Sequence, residues 1–122
     1  MTRVSADAEQ LVQITLLGEA IEFLPVAVFV FDEVGRYVAV NEHASRITGY
    51  TRKELLGKRL GQLADESAVA LAAYREVAEG RASEASTRVR RKDGTVAELQ
   101  FRGGRTTIGG IPFYVGVAWE AA

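Results

Sequence analysis

The chain contains no cysteine. That excludes disulfides, thiolate metal sites, a cysteine nucleophile and a cysteinyl adduct with a flavin. Histidine is nearly absent as well: His43 stands alone among 122 residues, and a lone imidazole has no companion ligands with which to hold a metal. There is almost no net charge, since 15 basic and 16 acidic residues leave a formal −1. No broad field therefore draws nucleic acid or an anionic membrane to the chain. No segment reaches the roughly 18 apolar residues needed to span a bilayer, and the N-terminus lacks a basic region followed by an uninterrupted apolar run. These absences point to a cytoplasmic protein without a membrane segment and without a direct nucleic-acid partner.

The length is that of one domain with one core. Over residues 6 to 23 the apolar side chains Leu11, Ile14, Leu17 and Ile21, continued by Leu24 and flanked by Val12 and Leu16, recur at helical spacing. Such a face is too apolar to be left in water. Pro25 stops the helix by pushing the residues before it toward extended geometry. Residues 1–24 thus read as an amphipathic helix, and 25–120 as the body of the domain.

"VAVFVFD" (26 to 32) and "YVAVN" (37 to 41) are β-branched and aromatic, and the "DEVG" between them reads as a hairpin turn. After Asn41 the period changes. Ala44, Ile47 and Thr48 share one face of a short helix that Asn41 caps and Gly49 ends. Thr51 and Glu54 have capping-box spacing and start another turn. Residues 67 to 80 place Ala70, Leu71, Tyr74, Val77 and Ala78 on one face of a further helix. Strands are predicted over 84 to 91, 95 to about 107 and 111 to 119, joined at "KDG" and "GG". Residues 26 to 31 and 111 to 119 are apolar on both faces, whereas 84 to 91 and 95 to 102 alternate. The first and last strands should therefore be central and adjacent in an antiparallel sheet, with helices over one face and the N-terminal helix or a second subunit over the other.

The stretch "LPVAVFVFDEVGRYVAVNEHASRITGYTRKELLGKRL", followed by "EGRASEASTRVRRKDGTVAELQF", resembles the PAS domain. The likeness lies in an Asp-x-x-Gly turn, an Asn opening a small helix that ends in Gly-Tyr, and an Arg-Lys-Asp-Gly hairpin, and it spans residues 22 to 119. It implies an α+β fold, a five-stranded antiparallel sheet of order 2-1-5-4-3 with short helices cradling one face. It also implies a sensory role, for small molecules, light or redox state, or a role in dimerisation. The expected effector is a histidine kinase, a cyclic-dinucleotide enzyme or a transcription regulator. Haem-binding relatives supply the iron ligand from the region of residues 67 to 83, which has no histidine here. The flavin photosensors need a cysteine near residues 49 to 53, which read Gly-Tyr-Thr-Arg-Lys. The ending Trp119-Glu120-Ala121-Ala122 departs from the Asp-Ile-Thr-like segment of many members.

Candidate residues follow. Thr48, Tyr74, Arg88 and Phe101, with Ile47, Tyr50 and Leu71, would line a pocket in which apolar walls and a few polar groups suit a small ligand. Asn41 and Thr51 read as structural caps, and His43 as a partly exposed helix residue. Leu11, Ile14, Leu17, Ile21 and Leu24 form the candidate interface of a homodimer. No nucleophile, base and orienting group come together, and no phosphate loop or paired-histidine motif occurs, so the chain reads as a non-enzyme without a resident cofactor or metal. Two functions stay open, a sensor of a small, mainly apolar molecule or a ligand-free dimerisation module, and a haem or non-covalent flavin sensor is the lesser alternative.

Overall fold

The computed structural model describes residues 15–64 and 67–121. Its first element is a helix over residues 15–21 (α1). There follow β1 (Ala27–Phe31), β2 (Tyr37–Val40), α2 (Glu42–Thr48), α3 (Arg52–Leu55), α4 (Ser67–Ala78), β3 (Ala85–Arg90), β4 (Val96–Ile108) and β5 (Ile111–Glu120). The strands form one sheet of order β2-β1-β5-β4-β3, antiparallel throughout. This is the α+β arrangement the resemblance implies.

Local chemistry explains the element boundaries. In the β1–β2 turn the Asp32 carboxylate accepts from the backbone N–H of Val34 at 3.1 Å and of Arg36 at 2.9 Å, while Gly35 takes the left-handed φ of 83° that other residues resist. Asn41 caps α2. At the other end Gly49, with φ 76°, donates its N–H to the Ser45 carbonyl. The capping box of α3 is complete: Thr51 Oγ1 accepts from Glu54 N at 3.2 Å, and Glu54 Oε1 accepts from Thr51 N at 3.0 Å. The predicted last turn of α4 unwinds after Ala78, where Gly80 takes a φ of 77°.

Two apolar layers flank the sheet. Inside lie Phe29, Phe31, Val40, Leu99 and Ala118, packed against Ala44 and Ile47 of α2 and Leu55 of α3. Outside, Val28, Val30, Ala39 and Phe113 gather around Ile21, with Leu17 packed at the edge. Both faces of β1 are covered, so all five of its residues are buried, the pattern expected of a central strand. Ile21 is 6% exposed, and its burial contributes roughly 1.5–3 kcal/mol.

This placement revises the candidate interface. Ile21 spends its side chain on its own sheet and offers little to a second subunit, and Leu17 is half-buried there. Leu24 stays 44% exposed, as do Leu16 at 57% and Phe23 at 84%. Leu11 and Ile14, with Val12, lie outside the described residues, as does the side chain of Ala70. None of the described helices is long and apolar enough to cross a membrane.

Candidate functional site

Between the inner sheet face and the helices lies a cavity of about 90 Å³. Phe29, Phe31, Leu99 and Phe101 form its sheet side; Thr48 from α2, with Tyr74 and Val77 from α4, faces them. Leu60 and Leu63 close it from the segment after α3. That segment is held in place by backbone hydrogen bonds: Leu60 N donates to Gly35 O at 2.7 Å, and Arg90 N donates to Leu63 O at 2.8 Å.

Gly103 and Gly116 face each other in the β4–β5 register and both border the cavity. A Cβ at Gly103 would sit 2.5 Å from the Val115 carbonyl oxygen, so only glycine permits this approach of the strands. At Gly116 the nearest atoms to a Cβ are 3.8 and 3.9 Å away, ordinary contacts. Gly116 also pairs with Phe29. The missing side chain at Gly116 leaves space beside that ring.

An aromatic chain crosses the site. The Phe31 ring is 4.6 Å from Tyr37 and 5.5 Å from Tyr74, and Tyr74 meets Tyr114 edge-on at 5.7 Å. The Arg105 guanidinium lies 5.1 Å from the Tyr114 ring centre, a cation–π contact at the rim. Among the described residues, the Tyr74 hydroxyl is buried without a hydrogen-bond partner. Such a group costs about 1–3 kcal/mol when left unsatisfied. Burial first, and then neighbouring Tyr114, push the Tyr74 pKa above the usual phenol range, so the hydroxyl stays protonated. The Thr48 hydroxyl, by contrast, is committed: it donates to Ala44 O at 2.8 Å and accepts from Tyr50 N at 3.3 Å.

Leu60 and Tyr74 also border an outer groove of about 400 Å³, which includes Asp32, Arg59, Leu71, Arg75 and Tyr114. Cavity and groove share that wall.

The candidate residues separate accordingly. Thr48, Tyr74 and Phe101 meet at the cavity. Leu71 borders the outer groove instead. Ile47 is buried in the inner core and touches a shallow hollow with His43, Arg46 and Glu120. Tyr50 packs at the edge of the inner core with Lys58 Nζ 5.2 Å from its ring centre. Arg88 does not belong to the group: it is exposed, while its strand neighbours Thr87 and Val89 border the cavity. The pleat turns successive side chains to opposite faces, so Arg88 has to point away. Gly103, Gly116, Phe29 and Leu60 were not among the candidates; a glycine inside an otherwise well-patterned strand is the signal that marks the first two.

The family model for the PAS domain matches residues 25–117. The chain belongs to the PAS domain family. Similar solved structures include a PAS domain from a two-component sensor histidine kinase, at 19% identity and TM-score 0.74, covering 90% of this chain and 97% of that one. A domain of a sensory box sensor histidine kinase/response regulator from Geobacter sulfurreducens is 22% identical with TM-score 0.69, covering 85% and 91% respectively. A Rhodobacter sphaeroides LOV protein is 24% identical with TM-score 0.69, covering 90% and 67%. No match was found among curated proteins.

Within this PAS domain no histidine or cysteine among the described residues borders the cavity, and its volume of about 90 Å³ lies below the roughly 300–1,000 Å³ of sites for drug-sized ligands. His43 sits at the separate hollow near Glu120. The described residues bring no three histidine, cysteine, aspartate or glutamate side chains together as a metal site.

Proposed function

We propose that this PAS domain is a sensory module that holds a small, mainly apolar molecule between its sheet and helices and passes the change to an effector. The observation that carries this reading is the cavity of about 90 Å³ with its aromatic and aliphatic walls. Packed interiors seldom leave voids of this size, and here a bare glycine, Gly116, helps to form it. The effector is a histidine kinase, a cyclic-dinucleotide enzyme or a transcription regulator, in the same chain or as a partner in the cytoplasm. Similarity to domains of sensor histidine kinases supports the first of these. The domain itself performs no catalysis.

A second activity, homodimerisation, is favoured by Phe23, Leu16 and Leu24, which are 84%, 57% and 44% exposed around the end of α1. The two readings are compatible. Native mass spectrometry of protein purified from cells separates them: a retained small molecule supports the sensor, and a clean apo dimer supports the dimerisation module alone.

A further inference from the structure

Size, wall chemistry and one hydroxyl together narrow the ligand. The cavity measures about 90 Å³. That is about three times the liquid volume of a water molecule and less than the roughly 150 Å³ of a dry protein cavity known to accept benzene. Its walls are mostly aliphatic and aromatic, and among the described residues no lysine, arginine, aspartate or glutamate borders it. An ion would have to shed its water there without a countercharge. Thr48, a polar wall residue, has its hydroxyl already engaged within α2 and with Tyr50. Tyr74 differs: it borders the cavity, and its buried hydroxyl has no partner among the described residues.

We propose that the cavity selects a neutral molecule of about four to six heavy atoms that offers one oxygen acceptor, as a ketone, ester or ether does, to the Tyr74 hydroxyl. This rests on reading the cavity as a ligand site. A phenol is a strong donor and a weak acceptor, so an oxygen acceptor on the ligand satisfies it best. The molecule enters from the outer groove between Leu60 and Tyr74, which border both spaces. The residue that reads the ligand therefore also stands at its entrance.

The test uses a matched pair of probes, cyclopentanone and cyclopentane, titrated into the full chain and followed by methyl and amide NMR shifts. Tyr74→Phe removes the hydroxyl and keeps the ring. It should weaken cyclopentanone about tenfold, the worth of one hydrogen bond, and leave cyclopentane within about twofold. Gly116→Leu fills the cavity and should abolish binding of both; Gly116→Ala, which adds a single methyl, should weaken both should the larger variant fail to fold. If Tyr74→Phe changes the two probes equally, the oxygen-acceptor inference is wrong while the ligand site stands. If neither probe binds the wild type, the proposed sensory function falls with it.

Discussion

The side-chain amide of Asn41 donates to the backbone carbonyl of Ile21 at 2.8 Å, across 20 positions of sequence. The same nitrogen donates to Val26 O at 2.8 Å, and the side-chain oxygen accepts from Val28 N and Ala44 N, each at 3.0 Å. One fully buried side chain thus joins the end of α1, the start of β1 and the first turn of α2. Since α2 also carries Thr48 to the cavity, a ligand held there as proposed would have a short path through that helix to α1.

Replacing Asn41 should therefore cost more than a cap. A cap alone is worth about 0.5–2 kcal/mol, but Asn41→Ala also strands buried carbonyl and N–H groups, each costing about 1–3 kcal/mol. The expected loss is about 3 kcal/mol or more, read from urea denaturation. Asn41→Asp should recover little, because a carboxylate keeps the acceptors but faces the carbonyls of Ile21 and Val26. A loss near 1 kcal/mol for the alanine variant would reduce Asn41 to a cap.

The paired glycines should respond in opposite ways. At Gly103 an added methyl meets the Val115 carbonyl at 2.5 Å, so Gly103→Ala must displace a strand and should lower the melting temperature. At Gly116 the methyl has room, and Gly116→Ala should be neutral or stabilise by about 0.4–1 kcal/mol through the unfolded chain. Equal effects at the two sites would contradict the geometry of the cavity floor.

Periodicity and turn chemistry made the elements legible. Val28 and Val30 alternate with Phe29 and Phe31, and the capping box at Thr51 announces itself by spacing alone. The site was less legible because it depends on long-range register. Nothing local says that Gly103 will lie opposite Gly116, or that Asn41 will reach back to Ile21. Arg88 was misplaced although the alternation around Thr87 and Val89 already turned it outward. Tyr74 stood among the candidates, but only the tertiary structure shows it packed against Phe31 and Tyr114 with a buried hydroxyl that has no partner among the described residues.

Dimerisation can be tested on residues that folding does not need. Phe23→Glu with Leu16→Glu alters side chains that are 84% and 57% exposed, so a dimer held by this patch should become a folded monomer by light scattering and circular dichroism. Ile21→Glu should instead unfold the domain, because it places a charge against Val28, Val30 and Phe113. A wild type that is monomeric at high micromolar concentration removes the dimer from the proposal.

Acid should loosen the joint between the β3–β4 hairpin and the small helices. Lys92 N donates to Thr48 O at 3.0 Å, Arg91 Nε donates to Ile47 O at 2.9 Å, and Lys92 Nζ donates to Glu54 Oε2 at 2.7 Å. The Lys92 hydrogen bond, with the Thr51 backbone N–H behind it, lowers the Glu54 pKa from 4.5 to about 2. A carboxylate whose folded pKa lies below its unfolded one stabilises the fold above the unfolded value, and that contribution disappears as pH falls through the folded value. The stability difference between wild type and Glu54→Gln should thus be constant above about 5, shrink below 4.5 and vanish near 2. The pair is at the surface, so the difference should be small and should fall further in 1 M salt. Urea midpoints of both proteins across this range provide the check. A difference that survives unchanged at pH 2 would mean that the glutamine variant loses packing around Thr51 rather than the charge.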